Sequence, residues 1–179
     1  RSPVHGQGFK NAPRKRSHGQ GLAQRMIPVR AVSCSISKGE NIMGECIFCL
    51  IAQGKIPSSK IYETDSLYAF LDLNPVHKGH TLIIPKKHAG NIFDLDPALG
   101  GELVSFMKKV GRAVMETTGA TGLNIYQNNG RSAGQEVDHL HWHLIPRFDG
   151  DGLKLWPQGK YDSMEEMNGL AEKIRARLS

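Results

Sequence analysis

The sequence has no long hydrophobic run and only a few cysteine and aromatic residues. Among its 179 residues, 39% are hydrophobic, 22% are charged and 7% are aromatic, a composition typical of a soluble single-domain protein. No apolar stretch approaches the roughly 20 residues that span a bilayer, which excludes a transmembrane helix. The three cysteines are an odd number, and the apolar core of a secretory signal is missing. We therefore expect a cytoplasmic protein, in a reducing compartment, without a disulfide framework.

Acidic residues are absent from the first 39 positions, where eight Lys and Arg residues occur. The chain from Glu40 onward contains fifteen basic and seventeen acidic residues. The net charge of +6 therefore arises in the N-terminal segment, and it gives no reason to expect specific nucleic-acid binding or membrane binding by the rest. Residues 1–42 are also rich in Gly and Ser and show no periodicity. They are predicted to be a disordered basic arm, followed by one domain at residues 43–179.

Three explanations account for this basic arm. It is sequence placed upstream of a translation start at Met43, an organelle-targeting peptide, or a functional basic tail. A targeting peptide is basic, contains Ser and lacks acidic residues, as this segment does. The second explanation would place the protein in an organelle and not in the cytoplasm.

Periodicity and turn residues predict an α+β fold for the rest of the chain. Strands are predicted in "KIYET", "LYAFLDL", "HTLIIP", "GLNIYQN" and "DHLHWHLIPRF". Helices are predicted in "ECIFCLIAQGK", from Pro97 to Gly119 with Asp96 as its N-cap, and from Met164 to Leu178. Because most strands follow one another through hairpins, we expect a mainly antiparallel five-stranded sheet, with one long central helix and a C-terminal helix on one face.

Three histidines alternate with apolar residues in "DHLHWHLIPRF", residues 138–148. The alternation predicts a strand that projects His139, His141 and His143 from one face, opposite the helices. Neighbouring imidazoles would be about 6.6 Å apart, too far for direct contact but near enough to share a ligand. Three interpretations are open: half-exposed histidines without a special role, ligands of one metal ion, or groups for phosphate chemistry.

A Gly-containing loop, "NNGRSAGQ", precedes the histidines. The amides of Asn128, Asn129 and Gln135, together with backbone N–H groups, are suited to hold an anion. Most Asn-Gly stretches are only turns, so the loop alone carries little weight. Imidazoles can act as nucleophile, proton donor or cationic partner of phosphate, so the loop and the histidines together favour phosphate chemistry.

The segments "HLHWHLI" and "AGQEVDHLHWHLIPRF" match the motif of the histidine triad, or HIT, family of nucleotide hydrolases and transferases, which the sequence resembles. The likeness extends from Cys46 to Trp156 and includes "AFLDLNPVHKGHTLIIPKKH". Two matching blocks at the family's separation make the resemblance highly specific. It implies the HIT-like α+β fold. It also implies an enzyme that cleaves adenosine phosphoramidates or dinucleoside polyphosphates at the α-phosphorus.

The resemblance assigns chemical roles to four histidines. His141 is the nucleophile and carries the nucleotidyl group as a covalent intermediate, which replaces one difficult attack by water with two easier displacements. A backbone carbonyl that accepts its Nδ1 proton would leave Nε2 free to attack. His143 binds a phosphate oxygen and assists the leaving group, whereas His139 and His80 support the hydrogen-bond network. No catalytic metal is required.

The resemblance also assigns substrate-binding residues. Asn128 and Gln135 stabilise phosphate oxygens, and Asp72 accepts hydrogen bonds from the ribose hydroxyls of a purine nucleotide. Four apolar side chains are expected to wall the base, with ordinary core packing as the alternative for each: Ile47, Phe48, Phe70 and Leu73. Glu136 departs from the family, because many relatives carry Ser or Thr there. Either its carboxylate points away from the phosphate, or the preferred leaving group is a cationic amine.

Cys46 and Cys49 form a Cys-x-x-Cys pair, which by itself indicates either metal ligands or simple core residues. Many bacterial relatives bind a structural zinc through this pair, a histidine after the "IPK" strand and the first triad histidine. The resemblance therefore implies a closed tetrahedral zinc site of Cys46, Cys49, His88 and His139. Thiols without metal are the alternative.

Three functions stay open beside the resemblance. The favoured one is the hydrolase. The others are a nucleotide-binding regulatory module with incidental turnover, and a metalloenzyme with the three triad histidines on one catalytic ion. Family members are usually homodimers, in which the C-terminal segment of one subunit borders the other's site. Trp156 in "LWPQG" is expected to cross that interface, with local packing as the alternative.

Overall fold

The computed structural model describes residues 46–154 and 156–178. Five strands form one sheet in the order β1-β2-β3-β5-β4, and every neighbouring pair is antiparallel. The strands are β1 (Lys60–Glu63), β2 (Leu67–Leu71), β3 (Thr81–Pro85), β4 (Gly122–Gln127) and β5 (Trp142–Arg147). The predicted α+β class and five-stranded sheet are confirmed. The predicted disordered arm at residues 1–42 lies outside the described residues.

Three helices accompany the sheet: α1 (Ile47–Ala52), α2 (Gly100–Thr118) and α3 (Met164–Arg175). The long helix α2 begins at Gly100 and not at the predicted Pro97. Asp96 accepts a hydrogen bond from Ala98 N–H and so caps a short 3₁₀ turn that precedes α2. The helix ends as predicted at Gly119, whose φ of 71° provides the left-handed C-cap.

One face of the sheet packs against α2. Side chains of a strand alternate between faces, so every second residue of β2, β3 and β5 points toward the helix. The shared core comprises Leu67, Ala69, Ile83, Leu140, Trp142 and Leu144 from the sheet side and Leu103, Phe106, Val110 and Val114 from α2. Full burial of each large apolar side chain contributes about 1.5–3 kcal/mol, so this layer supplies a rigid floor for the opposite face.

The opposite face is partly covered by α1, which corrects the prediction that the helices lie on one face only. Phe48 and Ile51 of α1 pack against the side chains that β2 and β3 direct outward, which are Tyr68, Phe70, Leu82 and Ile84. Leu82 pairs with His143 across β3 and β5. The triad therefore lies on the α1 face, and α1 forms one wall beside it.

Strand β5 begins at Trp142, which corrects the prediction that all three histidines lie on one strand. His139 and His141 precede it, in a segment whose backbone bonds to Ala89 outside the strand ladder. The rings nevertheless share one face. The centroids of His141 and His143 are 4.9 Å apart in edge-to-face contact, closer than a regular strand predicts.

Helix α3 has the predicted distribution of charge, with acidic residues in its first turn and basic residues in its last. None of its described residues is buried. Its apolar side, which includes Met164, Leu170 and Ile174, is exposed. Within residues 46–154 and 156–178, no helix combines the length and the apolar character needed to cross a membrane.

Candidate active site

His141 is buried, and the backbone fixes its tautomer. Its Nδ1 lies 2.6 Å from the carbonyl oxygen of His139, so Nδ1 carries the proton and donates it. The ring is 5% exposed and packs edge-to-face on Phe48, with the centroids 5.3 Å apart. The hydrogen bond to the His139 carbonyl is the one expected for a nucleophilic imidazole, because it leaves the lone pair of Nε2 free. One ring nitrogen is thus prepared to attack an electrophile.

A second chain of hydrogen bonds fixes the tautomer of His143. The backbone N–H of Val76 donates to Nδ1 of His80 at 3.3 Å, so Nε2 of His80 carries the proton. That Nε2 lies 2.9 Å from Nδ1 of His143 and donates to it. His143 therefore carries its own proton on Nε2. The site presents one bare imidazole nitrogen, on His141, beside one imidazole N–H donor, on His143.

Burial keeps His80 and His143, the two histidines of this hydrogen-bonded chain, neutral. It lowers the pKa of His143 to about 4, and the nearby rings of His141 and His80 add to the effect. Burial also lowers the pKa of His80, against the opposing influence of the Asp72 carboxylate. Two neutral rings can form a directed hydrogen bond, whereas two imidazolium ions would repel each other.

Asp72 lies at the end of β2, next to His80. Its Oδ1 accepts a hydrogen bond from Asn74 N–H at 2.8 Å, and its Oδ2 lies 3.6 Å from Nδ1 of His80. Its backbone N–H also bonds to the His80 carbonyl. The side chain is half-buried, with lone pairs left for further donors. The structure thus places the predicted ribose-binding carboxylate beside the triad.

The four side chains predicted to wall a base divide into two groups. Phe48 and Phe70 are buried and in edge-to-face contact, with centroids 5.7 Å apart, so both are core residues that also line the histidine face. Ile47 is 38% exposed and is free to contact a ligand. Leu73 is 93% exposed and packs against nothing substantial, so it forms no preformed wall.

Gln135 has a structural role that the sequence-based prediction missed. Its Nε2 donates to the carbonyl oxygens of Gly90 and Val137, at 2.7 and 3.0 Å, and its Oε1 accepts from Gly130 N–H at 2.8 Å. Both amide hydrogens are therefore used by the backbone. Its predicted role in stabilising a phosphate oxygen stays a prediction, and it would require one of these bonds to break.

The two asparagines of the loop differ in whether their side-chain amides are already hydrogen-bonded. Asn129 is tied to Gln127 by two side-chain bonds and accepts from Ile92 N–H at 2.9 Å. It therefore holds the loop and is not available to an anion. Asn128 is half-buried, and its side-chain amide makes no hydrogen bond with the described residues. Among the three loop amides, Asn128 retains the donor needed to bind a phosphate oxygen.

Four predicted metal ligands meet at one point beside the triad. The ligand atoms of Cys46, Cys49, His88 and His139 all lie within 4.8 Å of one another. Nδ1 of His139 is 3.3 Å from Sγ of Cys46 and 3.5 Å from Sγ of Cys49, and Nδ1 of His88 is 3.4 Å from Sγ of Cys49. A tetrahedral zinc ion with ordinary bond lengths separates its S and N ligands by roughly 3.5 Å. The donor set therefore fits such an ion.

The surroundings of these ligands also suit a metal. Nε2 of His139 donates to the carbonyl oxygen of Pro85 at 2.9 Å, which leaves Nδ1 deprotonated and directed at the thiols. Burial and the adjacent Cys46 raise the pKa of the Cys49 thiol to about 11. A thiolate at this place needs a cation for stabilisation, and a metal ion supplies it.

The three triad histidines do not converge on one ion. His139 belongs to the cysteine cluster, whereas Nδ1 of His141 is bonded to a carbonyl and Nδ1 of His143 to His80. This division argues against the predicted metalloenzyme alternative. A second possible group, Asp72, His80 and His143, has its ligand atoms within 4.8 Å. It contains the internal hydrogen bond that orients His143.

Trp156 and Glu136 both lie at the edge of the site. Trp156 is 68% exposed and packs edge-to-face on Tyr126 of its own chain, with centroids 4.9 Å apart. Tyr126 pairs with His143 across β4 and β5. Trp156 thus has a packing partner in its own chain and stands near the triad, and its predicted role at a dimer interface stays a prediction. Glu136 is exposed beside the buried Gln135, so its carboxylate is hydrated.

Two polar residues near the site were not predicted from the sequence: His77, which is half-buried, and Asp151, whose carboxylate is buried. Nε2 of His77 lies 3.4 Å from Oδ2 of Asp151, and the Asp151 side chain is 6% exposed. The turn segments "NPVHKG" and "FDGDG" each contain more than one polar residue, so the sequence does not single out these two. Only the folded chain brings these two turns together.

Comparisons with known proteins agree with this site. The family model described as HIT domain matches residues 53–150. The chain is 42% identical over 135 residues to the adenosine 5'-monophosphoramidase hnt1 of Schizosaccharomyces pombe, covering 74% of this chain and 98% of that protein.

Two solved structures have the same fold. A HIT family protein from Bacillus subtilis is 40% identical, with a TM-score of 0.70, and the match covers 76% of this chain and 99% of that one. A zinc-bound histidine triad protein from Mycobacterium smegmatis is 35% identical, with a TM-score of 0.58 and coverage of 74% and 94%. The family model, the sequence relatives and the shared five-stranded fold lead to one assignment: the chain belongs to the HIT, or histidine triad, family.

Proposed function

We propose that the protein hydrolyses adenosine phosphoramidates or dinucleoside polyphosphates at the α-phosphorus, through a covalent intermediate on His141. The single observation that carries this proposal is the bond from Nδ1 of His141 to the His139 carbonyl, at 2.6 Å. It leaves an oriented Nε2 lone pair that can act as the nucleophile. The relative from Schizosaccharomyces pombe, named an adenosine 5'-monophosphoramidase, supports the substrate class.

The reaction has two displacements. In the first, Nε2 of His141 forms a bond to the α-phosphorus while the bond to the leaving nitrogen or oxygen breaks, and that atom keeps the electron pair. The Nε2–H of His143 donates to the leaving atom or to a phosphate oxygen. In the second, water attacks the same phosphorus and loses a proton to solvent while the P–N bond breaks with its electron pair on Nε2, which releases the nucleotide and free His141. Asp72 holds the ribose hydroxyls, and Asn128 donates to a phosphate oxygen.

The test of this function is turnover and trapping with adenosine phosphoramidate. We expect His141→Asn to lose at least about 10³-fold in kcat and to retain nucleotide binding, because the nucleophile is lost and the pocket is kept. In His141→Gly, added imidazole should restore part of the rate, since a free ring can take the vacated place. Rapid quenching of the wild type should yield a nucleotidyl group on His141 by mass spectrometry.

The outcome that would contradict the hydrolase is clear-cut. If the wild type turns over neither phosphoramidates nor diadenosine polyphosphates faster than buffer does, but still binds AMP, the protein is a nucleotide-binding regulatory module. A variant His141→Asn with wild-type turnover would remove His141 from the nucleophile's role. The trapped residue would then identify the actual nucleophile.

The cluster of Cys46, Cys49, His88 and His139 is proposed to hold a structural zinc ion. The S···N distances of 3.3–3.5 Å and the Pro85 carbonyl behind His139 support it. All four ligands come from the protein, so no position is left for substrate. Metal analysis of the purified protein should give one zinc per chain. Cys49→Ser should lose the zinc ion, although this variant still contains His141.

A homodimer is also proposed, formed through the edge of the sheet at β4. A groove of about 600 Å³ between α2 and β4 is lined mainly by apolar side chains, including Val104, Met107, Leu123 and Ile125. Val104 and Ile125 are 53% and 49% exposed, an unusual state for aliphatic residues beside an open strand edge. A second copy of the chain fits because the same edge and groove are available on both partners.

The dimer is tested by light scattering coupled to size-exclusion chromatography. We expect the wild type to be a dimer at micromolar concentration and Ile125→Glu to be a monomer. The matched control is Ile61→Glu, which places the same charge on the opposite edge strand, where Ile61 is 39% exposed. A monomeric wild type, or equal effects of both variants, would remove this interface.

A further inference from the structure

His77 belongs to the loop between β2 and β3, and its ring is held against the turn that follows β5. The ring packs edge-to-face on Phe148, with centroids 5.5 Å apart. Its Nε2 is buried without a hydrogen-bond partner among the described residues and lies 3.4 Å from Oδ2 of Asp151. No described donor reaches this nitrogen, unlike Nδ1 of His80, which accepts from Val76 N–H, so a bare lone pair here would face only a carboxylate, which is repulsive. The geometry therefore selects the form of His77 that carries a proton on Nε2.

Asp151 is itself rigidly held in its negative form. Arg147 binds both carboxylate oxygens, from Nε at 2.6 Å and from Nη2 at 2.9 Å. The backbone N–H groups of Phe148 and Leu153 donate to the same carboxylate. The Arg147 guanidinium holds the pKa of Asp151 well below its usual value. Asp151 is thus a negatively charged group in a fixed position, and the ring of His77 lies beside it.

The loop that carries His77 also orients His80. The His77 carbonyl accepts from His80 N–H at 2.9 Å, and the N–H of the adjacent Val76 donates to Nδ1 of His80. The loop has little room to shift, because a Cβ at Gly79 would lie 2.6 Å from Cγ2 of Thr118. The ring of His77 and the N–H of Val76 thus belong to one tightly packed loop that contacts His80 at two atoms.

We propose that His77 and Asp151 are positioning residues that fix the tautomer of His143 through this loop. The Val76 N–H occupies Nδ1 of His80, so His80 donates from Nε2 to Nδ1 of His143. His143 then keeps its proton on Nε2, where it acts as a hydrogen-bond donor. Neither positioning residue touches the reacting atoms. The kinetic consequence rests on the proposed function, but the tautomer does not.

The direct test is the tautomer of His143, measured by long-range ¹H–¹⁵N NMR of the ring at neutral pH. The wild type should show a single form, with Nδ1 accepting and Nε2 protonated. His77→Phe keeps the ring packing on Phe148 but has no N–H, and it should give a mixture of tautomers. His77→Gln retains a donor close to the place of Nε2, so it should restore the wild-type form.

Two further variants make the test independent of one substitution. Asp151→Asn removes the charge that selects the protonated Nε2 of His77, and it should give the same mixture. Asp149→Asn is the matched control, because Asp149 is an exposed carboxylate in the same turn. It should behave as the wild type does. An unchanged single tautomer in His77→Phe and in Asp151→Asn would overturn the proposal.

Kinetics provide a second reading. An alkylamine leaving group needs a donor as the bond to phosphorus breaks, whereas p-nitrophenolate leaves without one. His77→Phe should lose about tenfold in kcat on adenosine alkylphosphoramidate and less than about twofold on the p-nitrophenyl ester of AMP, a small part of a general-acid effect. Equal losses on both substrates would also overturn the proposal. If the wild type acts on neither substrate, the proposed function fails, and the NMR test still decides the positioning.

Discussion

At the scale of single residues, the type of a side chain does not determine its hydrogen-bond partner. Asn128, Asn129 and Gln135 are the same kind of donor in the sequence, yet the fold uses two of them to hold its own backbone. The pattern "NNGRSAGQ" predicts the loop but not this division, because the partners at Gly90 and Ile92 come from a distant part of the chain. Only the unused amide of Asn128 is left for a ligand.

Gln135→Met is expected to destabilise the protein by about 2–4 kcal/mol, because three partly buried hydrogen bonds to the backbone are lost. Urea unfolding at equilibrium measures the change. The matched variant Asn128→Ala should shift stability by less than about 0.5 kcal/mol and should lower turnover instead. The opposite result, with Gln135→Met stable and inactive, would return Gln135 to a role in phosphate binding.

His143 makes stability depend on pH. Its pKa is about 4 in the folded chain, below the ordinary value of 6.5. The unfolded chain therefore binds the proton first, so the stability present above about pH 6.5 is lost as the pH falls toward 4. The urea midpoint of the wild type should fall across this range, and that of His143→Asn should fall less. Identical pH profiles of the two proteins would contradict the assignment.

At the scale of elements, the loop between β2 and β3 is fitted tightly between α2 and β5. Gly79 has a φ of +99°, and its missing Cβ lets the loop approach Thr118 and Pro146. This close approach brings Val76 and His80 into their hydrogen bond. Turn residues predict the loop, but its contact with the end of α2 depends on packing between elements that lie far apart in the sequence.

Gly79→Ala is expected to destabilise the protein by about 3 kcal/mol or more, since it adds an unfavourable backbone conformation to a steric clash. Gly119→Ala is the matched control. Gly119 also has a positive φ, of 71°, but open space around it, so about 1 kcal/mol is expected. Urea unfolding of both variants checks the difference. Equal losses would show that the contact with Thr118 is unimportant.

At the scale of the whole molecule, the proposed zinc site joins distant segments. Cys46 and Cys49 flank the start of α1, whereas His139 lies 93 and 90 residues later, before β5. The strands, the long helix and the alternation of faces were predictable from local patterns, and the ligand set from a family motif. The coverage of the histidine face by α1 was not, because nothing local in "CIFCLIA" says which face it packs on.

Removal of the proposed zinc ion is expected to lower the Tm substantially. An ion present at about 1,000 times its Kd adds about 4 kcal/mol to the folded state, or roughly 10 °C in Tm for a domain of this size. A strong zinc chelator followed by differential scanning calorimetry measures this. Cys49→Ser should start at the lower Tm and should not respond to chelator. A wild-type Tm that is unaffected by chelation would leave the thiols as ordinary core residues.

His139 has its ring among the thiols and its carbonyl bonded to His141, so one amino acid belongs both to the proposed metal site and to the proposed catalytic site. A homologous protein without the proposed zinc ion would therefore need other contacts to hold the His139 peptide, whose carbonyl orients His141. Loss of the cysteines and replacement of the supporting contacts would have to arise together. The design of a metal-free version of this fold would accordingly require new side-chain contacts that keep the His139 carbonyl directed at His141.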